Sequence, residues 1–297
     1  MSGAGKDFPS PFSLEQPAEY AAWRERKLAA APTSLAELLV EVDDPRRLSN
    51  AERNAILERV RRANMAIYAS NSAGEADPEI ARRVGAQVGL LSLDKHYLAD
   101  DEGISALTVA EGNSHAEFIP YTDRAIKWHT DGYYNPPERS VRGMLLHCVR
   151  PAASGGDNQL LDHEIAYILL RDRDPELVRA LSAPDVMTIP ARADADGEAR
   201  PAQGGPVFSV DGHGHLHMRY TARRISILWK AEAAPAVTAL EEILAAGTAW
   251  TLRGRLEAGM GLVCNNVLHD RSAFQDDESR RRLLYRARYY ERVGAGG

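Results

Sequence analysis

The chain has 297 residues, of which 44% are hydrophobic and 26% charged, the composition of an ordinary globular protein. Its formal net charge of −6 and its pI of about 5.9 argue against a basic surface for nucleic acid or anionic membranes. No apolar run of about 18 residues and no cationic-then-apolar start occurs, so we expect neither a membrane span nor a secretory signal.

The first hundred residues show mainly helical patterns. We predict that residues 1–50 form a helical N-terminal lead-in and that a separate domain spans residues 51–297. Capping boxes at Ser34–Glu37 and Ser49–Glu52 predict helix starts. "MAIYAS" then predicts a strand, and Pro78 opens a predicted helix in "DPEIARRVGAQVGL".

From about residue 104 the pattern changes to short strands separated by turns. The predicted strands are "ISALTVA", "HAEFIPYT", "VRGMLLHCV", "NQLLD", "PVFSV", "LHMRYT", "AWTLRGRLE", "GLVCNN" and "RLLYRARYY". Helices interrupt them at "HEIAYILLRD", "DPELVRALS" and "PAVTALEEILAAG". This alternation predicts a mainly β protein with flanking helices, an α+β fold with a double-sheet jelly-roll core.

A histidine and an aspartate stand two residues apart in "WHTDGYYNPP", just before a turn rich in Gly, Asn and Pro. On an extended strand His129 and Asp131 point to the same side, so together they can fill two positions on a metal. The pattern also fits an aspartate that caps the turn at Gly132 beside a hydrogen-bonded histidine. The pair needs a third ligand before it indicates a metal site.

A third ligand candidate is His269, which follows an apolar strand in "LVCNNVLHDRSAF". Closure of the sheet would bring it back to the earlier strand. Two histidines and one carboxylate form the facial triad of non-haem iron(II) enzymes, which leaves positions open for a cosubstrate and dioxygen. A structural zinc site would normally have four ligands, often with sulfur, and neither cysteine stands at metal-ligand spacing.

Arginines alternate along the predicted C-terminal strand "RRRLLYRARYY". Period-two spacing puts Arg282, Arg286 and Arg288 on one face, opposite Leu283 and Tyr285. If the apolar face packs on the core, the arginines are solvated. If the arginine face points inward, each guanidinium needs a carboxylate from the protein or from a ligand, because an unpaired buried charge is costly.

Four stretches in this order, "WHTD", "SGGDN", "NNVLHDRSAF" and "RRRLLYRARYY", resemble the iron(II)/2-oxoglutarate dioxygenases of the taurine dioxygenase (TauD/TfdA-like) superfamily. "MLLHCVRPAASGGDNQLLD" and "VLHDRSAF" are more similar to its γ-butyrobetaine hydroxylase-like relatives. The resemblance covers residues 65–290. It implies a double-stranded β-helix, a jelly-roll variant, for the dioxygenase domain 51–297.

Residue by residue, the resemblance implies that His129, Asp131 and His269 hold the metal. Arg282 matches the arginine that holds the distal carboxylate of 2-oxoglutarate. Asn158 stands where taurine dioxygenase has a threonine that helps to bind that carboxylate, and an asparagine amide can donate the same hydrogen bond.

The resemblance also concerns the substrate. Arg286 matches the arginine that taurine dioxygenase places on its substrate's sulfonate, although the γ-butyrobetaine hydroxylases lack an arginine there. We expect Arg286 to bind a small organic substrate with an anionic group; a protein Asp or Glu could serve instead and would make Arg286 structural. The implied reaction uses iron(II), 2-oxoglutarate and dioxygen, releases succinate and carbon dioxide, and hydroxylates the substrate.

Two other functions could use the same residues. One is a metal-dependent hydrolase with zinc in the triad, which would not need Arg282 aimed at a keto acid. The other is a non-catalytic barrel that binds a small acid as a sensor or store. Beyond a small-molecule substrate we expect no nucleic-acid or membrane partner, and a homo-oligomer stays open.

The remaining histidines and cysteines have simpler interpretations. "DGHGHLH" predicts a hairpin tip with solvent-exposed histidines rather than a second metal site. His147 in "LLHC" is interpreted as a core histidine with satisfied hydrogen bonds. Cys148 and Cys264 stand in apolar runs, which predicts buried reduced thiols in a cytoplasmic protein, although a disulfide between them stays open.

Overall fold

The computed structural model describes residues 10–94, 103–110, 119–193, 199–223 and 227–294. Its α-helices are α1 (Pro17–Ala30), α2 (Asn50–Ala63), α3 (Glu79–Gln87), α4 (His163–Arg173), α5 (Pro175–Leu181) and α6 (Ala234–Ala246). Its strands are β1 (Leu39–Val42), β2 (Met65–Ser70), β3 (Ile104–Leu107), β4 (Ile126–His129), β5 (Gly143–Arg150), β6 (Ser154–Gly155), β7 (Asn158–Leu161), β8 (Met187–Ile189), β9 (Arg192–Ala193), β10 (Ala199–Arg200), β11 (Gln203–Gly205), β12 (Phe208–Val210), β13 (Leu216–Met218), β14 (Leu228–Trp229), β15 (Leu252–Gly254), β16 (Met260–Cys264), β17 (Leu268–Arg271), β18 (Phe274–Gln275) and β19 (Leu283–Tyr289).

Two sheets form the centre of the fold. The larger sheet has the strand order β1-β2-β16-β5-β19-β3, and the smaller has the order β15-β7-β17-β4. Ile67 and Leu262 of the larger sheet pack in one buried cluster with Leu160 and Leu252 of the smaller. Two sheets that share an apolar core are the arrangement of a jelly roll, so the predicted α+β fold class is confirmed.

Helices cover the outer faces of the two sheets. Ile56 and Val60 of α2 are four residues apart and so lie on one helix face. They form a second buried cluster with Val84 of α3 and with Tyr285 and Tyr289 of β19. Helices α4, α5 and α6 form a third cluster with apolar residues of the smaller sheet. Both faces of the central strands are therefore protected from water.

The arginine face of β19 points into the interior. Tyr285 and Tyr289 on the opposite face contact the helices, while Arg282, Arg286 and Arg288 are at most 8% exposed. The solvated arrangement that the sequence left open is therefore wrong. Each guanidinium needs a partner inside the protein or on a ligand.

Two predictions of local structure are wrong. The capping box at Ser34–Glu37 begins only a 3-10 turn, Leu35–Leu38, after which β1 alternates buried with less buried side chains and pairs with β2 in parallel. The stretch "HAEFIPYT" forms a 3-10 turn at Ile119–Tyr121, where Pro120 cannot donate to a strand ladder. Residues 115–118 of that stretch lie outside the described residues.

The N-terminal lead-in is attached to the rest of the fold by a helix and a strand. Lys27 of α1 is buried, with its Nζ 2.6 Å from Asp162 Oδ2 and 2.5 Å from Glu164 Oε2. Trp23 of the same helix packs edge-on against Tyr167. Strand β1 forms one edge of the larger sheet. The domain boundary at residue 50 stays a prediction.

The simpler sequence interpretations agree with the fold in part. Cys148 and Cys264 are buried and free of disulfides. His147 is a fully buried core residue whose Nδ1 lies 2.8 Å from Tyr68 Oη. Its Nε2 has no hydrogen-bond partner among the described residues, so the predicted satisfaction of both ring nitrogens is wrong. Strands β12 and β13 form the predicted hairpin; His213 and His215 are exposed as predicted, whereas His217 is half-buried. Within the described ranges, no helix has the length and apolar character needed to span a membrane.

Candidate metal centre

Three potential metal ligands meet in the interior. His129 at the end of β4 and His269 in β17 are partners across an antiparallel ladder, and their ring centroids are 4.2 Å apart. Asp131 follows β4 by two residues. One ligand atom from each of the three residues lies within 4.8 Å of the other two, the only such group found among the described residues. The structure thus brings together the triad singled out in the sequence.

Both histidine rings are held in the same way. His129 Nδ1 lies 2.9 Å from the carbonyl oxygen of Lys127, and His269 Nδ1 lies 2.9 Å from that of Val267. A carbonyl can only accept, so Nδ1 carries the proton in each ring. Nε2 is then the unprotonated nitrogen with a lone pair for a metal, and the hydrogen bond fixes the orientation of the ring.

The protonation states of His269 and Asp131 suit a divalent metal. Burial, reinforced by the nearby His129 ring, lowers the pKa of His269 to about 4, so its imidazole is neutral at pH 7. Burial alone would raise the pKa of Asp131, but the Arg286 guanidinium and the His129 ring hold this pKa well below its usual value. A neutral imidazole and an ionised carboxylate are the forms that bind metals, so the states of His269 and Asp131, with the ring orientation of His129, fit a ferrous ion.

Arg282 is buried with an unpartnered nitrogen. The residue is 5% exposed, and its Nη1 has no hydrogen-bond partner among the described residues. The Phe274 ring centroid lies 5.0 Å from its Cζ, and burial lowers its pKa to about 10, which leaves it charged at pH 7. Gly155 and Gly156 line the same small pocket. A buried cation with a free donor is suited to bind a carboxylate.

A second, largely apolar pocket borders the triad. It encloses about 610 Å³ of empty space, part of it open to solvent, and His269 forms part of its wall. Asn158 lines both this pocket and the one at Arg282, so the two are neighbours. Asn158 donates one amide hydrogen to the Asp270 carbonyl at 2.7 Å, and the second hydrogen is available to a ligand. Through this shared wall, the pocket at His269 adjoins the pocket at Arg282.

The two arginines within β19, Arg286 and Arg288, have protein carboxylates as partners. Arg286 Nη1 lies 3.3 Å from Asp131 Oδ2 and 3.4 Å from Oδ1. Arg288 Nη2 lies 2.7 Å from Asp94 Oδ2, and its Nη1 donates to Tyr134 Oη at 2.8 Å. Arg286 therefore has the protein partner that the sequence left open as the alternative to a substrate anion. Its Nε has no hydrogen-bond partner in the described part of the chain.

One residue at the triad is absent from the sequence predictions. Asn266 is 1% exposed, and its side-chain amide bonds to the main chain of Asp131. The available signal is an asparagine within an apolar stretch, three residues before His269. A buried amide needs hydrogen-bond partners, but the sequence does not say which groups they are.

Comparison with known proteins gives one family and two named relatives. The sequence profile of the "Taurine catabolism dioxygenase TauD, TfdA family" matches residues 31–288. A uridine-5'-phosphate dioxygenase from an Amycolatopsis species is 34% identical over 175 residues, which cover 55% of this chain and 60% of that protein. A uridine-5'-phosphate dioxygenase from a Streptomyces species is 33% identical over 201 residues, which cover 63% of this chain and 69% of that protein. The match to the first relative spans less than two thirds of its length.

Among solved structures, asparagine oxygenase in complex with Fe(II), 2S,3S-3-hydroxyasparagine and succinate is similar in fold. The TM-score is 0.60 at 15% identity, and the match covers 86% of this chain and 94% of that chain. At this identity the similarity concerns the fold alone. It confirms the predicted double-stranded β-helix.

Proposed function

Because the chain belongs to the taurine catabolism dioxygenase TauD, TfdA family, we propose that it is an iron(II)- and 2-oxoglutarate-dependent dioxygenase. The observation that carries this proposal is the buried triad of His129, Asp131 and His269, in which both histidine Nδ1 atoms are committed to main-chain carbonyls. Three protein ligands leave the remaining positions open for a keto acid and dioxygen. Bound together, these groups supply the oxidising chemistry that releases succinate and carbon dioxide and hydroxylates a substrate.

Arg282 and Asn158 bind the keto acid in this proposal. Arg282 supplies the buried, unpartnered donor for the distal carboxylate, and the second amide hydrogen of Asn158 assists it. The apolar pocket beside His269 receives the methylene groups. Because the protein provides no carboxylate for Arg282 Nη1 within the described residues, the ligand provides it.

This role for Arg282 favours the dioxygenase over the two other functions. A zinc hydrolase needs the triad and a water molecule, and it has no use for a buried arginine that awaits a carboxylate. A non-catalytic acid-binding protein needs Arg282 but no open metal site. The triad and Arg282 together are what a reaction of 2-oxoglutarate at iron requires.

The substrate in this proposal is a small organic molecule with an anionic group. The two relatives are named for uridine-5'-phosphate, which carries a phosphate ester. Arg286 holds Asp131 through Nη1 and keeps Nε free of other partners in the described residues, and a guanidinium has five N–H donors. Arg286 can therefore bind Asp131 and a substrate anion at the same time.

The test is release of succinate from 2-oxoglutarate by the purified chain with iron(II) in air. Substrates are offered as pairs, uridine-5'-phosphate with uridine, and carboxylates and sulfonates with their neutral analogues. We expect one anionic compound to raise succinate above the background without substrate, and folded Asp131→Ala to give none. Absence of succinate in every arm from a folded, iron-loaded protein would overturn the proposal.

The same assay tests Arg286. The ratio of kcat/KM between the active anion and its neutral analogue is compared in wild type and Arg286→Leu. This ratio cancels a general loss of activity caused by the broken contact with Asp131. We expect the variant to lower the ratio about tenfold or more, as for a lost charge-assisted hydrogen bond. An equal ratio in the two proteins would assign Arg286 to Asp131 alone.

A further inference from the structure

Asp131 lies where the ladder between two strands of the smaller sheet ends. Pairing between β4 and β17 includes His129 and His269, and β4 ends at His129. The next residue, Thr130, does not bond to β17; its N–H donates to the Tyr220 carbonyl at 2.9 Å. The main-chain N–H and C=O of Asp131 therefore need partners other than a neighbouring strand, since both are buried.

A single side chain supplies both partners. Asn266 Oδ1 accepts from Asp131 N–H at 2.7 Å, and Asn266 Nδ2 donates to the Asp131 carbonyl at 2.9 Å. The same Nδ2 donates to the Val141 carbonyl at 2.6 Å, which ties down the far end of the segment that follows Asp131. Asn266 is 1% exposed, so water does not compete for these bonds.

The chemistry of the amide and the backbone both favour asparagine at position 266. One group must accept from an N–H and donate to two carbonyls, which an amide can do and a carboxylate cannot. The φ of Asn266 is +51°, a conformation in which asparagine is several-fold enriched among non-glycine residues. Asn64 is the other non-glycine residue with positive φ among the described residues, at +57°.

We propose that Asn266 is the positioning residue that holds the Asp131 carboxylate in place for metal binding. Its amide fixes the main chain of Asp131 from one side, while Arg286 contacts the carboxylate. Each histidine ring is oriented by the carbonyl two residues before it in the chain. The turn at Asp131 is instead held by the side chain of Asn266, which lies just before β17. This inference rests on the metal site of the proposed function.

Asn64 offers a matched control. It is also buried, has positive φ and uses its amide, with Nδ2 donating to Asp162 Oδ1 at 3.0 Å. Its side chain also accepts from Asn265 Nδ2 at 3.0 Å. Glycine tolerates positive φ, so Asn266→Gly and Asn64→Gly both remove a buried amide without adding backbone strain. Among the two, Asn266→Gly alone removes bonds to Asp131.

The experiment is a titration of the full-length protein with cobalt(II), followed by the visible absorption of the bound metal, together with thermal unfolding. We expect Asn266→Gly to weaken cobalt(II) binding about 10- to 100-fold and to alter the absorption spectrum, as for loss of a group that orients a metal ligand. Asn266→Asp cannot donate to the Asp131 carbonyl, so we expect it also to weaken cobalt(II) binding and to alter the absorption spectrum. Asn64→Gly should lower the unfolding temperature and leave cobalt(II) affinity within about threefold of wild type.

The outcomes separate this inference from the proposed function. If wild type binds no cobalt(II), the metal site itself is wrong. The positioning role is wrong under a different result. In that case wild type binds cobalt(II), and both Asn266 variants keep the wild-type spectrum and a cobalt(II) affinity within threefold of that of Asn64→Gly. Should Asn266→Gly fail to fold, Asn266→Asp decides the question, because it keeps the size of the side chain.

Discussion

At the scale of single residues, the partners of the buried arginines decide their roles. Arg286 and Arg288 lie in β19, Arg282 directly precedes it, and all three are at most 8% exposed. Arg286 and Arg288 each face a protein carboxylate within hydrogen-bonding or ion-pair distance. Arg282 Nη1 has no such partner in the described residues. The missing carboxylate partner thus marks Arg282 as the arginine that binds the ligand.

Replacement of Arg282 tests this assignment. Arg282→Met keeps an unbranched apolar side chain in place of the arginine stem and removes the charged donors. Loss of a buried charge-assisted pair costs roughly 2–5 kcal/mol, or about thirty- to several thousand-fold in affinity. We therefore expect the KM for 2-oxoglutarate to rise by about that factor, while cobalt(II) affinity stays near the wild-type value. Steady-state kinetics and metal titration measure the two quantities.

Arg280→Met is the control for Arg282. Arg280 belongs to the same segment, but its guanidinium is exposed and pairs with Asp277 on the surface. We expect the KM for 2-oxoglutarate to be unchanged in this variant. If Arg282→Met changes the KM by no more than Arg280→Met does, Arg282 is not the residue that binds the distal carboxylate.

The sequence identifies some of these residues and not others. His129, Asp131, His269 and Arg282 lie in recognisable local patterns, so the triad could be assembled before the fold was known. Asn266 could not be assigned, because its partners lie 135 and 125 residues away in the chain and are main-chain atoms, which carry no residue-type signal.

At the scale of secondary-structure elements, Gly261 allows close packing of side chains across three neighbouring strands. Gly261 of β16 pairs with Tyr68 of β2 on one side and with His147 of β5 on the other. Tyr68 reaches across the glycine to bond His147 at 2.8 Å, and their rings are nearly parallel, 9° apart. A Cβ on Gly261 would overlap the Tyr68 ring. The contact between the outer two strands therefore requires a glycine between them.

Gly261→Ala should lower the stability of the larger sheet. Overfilling a packed core costs about 1–3 kcal/mol, and Tyr68 would also move away from His147. Chemical denaturation followed by circular dichroism measures the free energy of unfolding. Gly212→Ala is the control, because a Cβ there meets no atom within 4 Å. Equal stability of the two variants would show that Tyr68 does not lie across Gly261.

The predicted elements differ in how well local sequence determines them. The capping box at Ser49–Glu52 begins α2, because a helical pattern of apolar residues follows it. The same motif at Ser34–Glu37 is followed by "LVEV", whose alternation pairs with β2, so the helix stops after one 3-10 turn. Capping residues start a helix, but pairing with a distant strand decides whether it continues.

At the scale of the whole molecule, a buried polar cluster joins the N-terminal helix to the sheets. Lys27 of α1 pairs with Asp162 and Glu164, which flank His163 at the start of α4. His163 is fully buried, and its Nε2–H donates to the Leu216 carbonyl at 3.1 Å. Pairing of this kind depends on the tertiary fold, so the attachment of the lead-in could not be predicted from local patterns.

His163 makes the stability of the protein depend on pH. Burial lowers its pKa from 6.5 to about 4, with Arg292 and Lys27 acting in the same direction and Glu164 opposing them. The unfolded chain therefore takes up a proton at higher pH than the folded chain does. The stability contributed by neutral His163 is complete above pH 6.5 and is lost as pH falls towards 4.

We expect the fall in unfolding free energy between pH 7 and pH 5 to be smaller by about 2 kcal/mol in His163→Gln than in wild type. Urea denaturation at the two pH values measures this difference. His215→Gln is the control, since His215 is exposed on the β12–β13 hairpin. A pH dependence in His163→Gln equal to that of wild type would mean that the pKa of His163 is the same in the folded and the unfolded chain.

In the proposed function, iron held by His129, Asp131 and His269 makes the chain decarboxylate 2-oxoglutarate. The most direct measurement is release of labelled carbon dioxide from 2-oxoglutarate labelled at C1, with and without iron(II), in wild type and folded His269→Ala. We expect release that requires iron(II) and dioxygen and is lost in the variant. Release that persists in His269→Ala, or no release from iron-loaded wild type with any of the paired substrates, would contradict it.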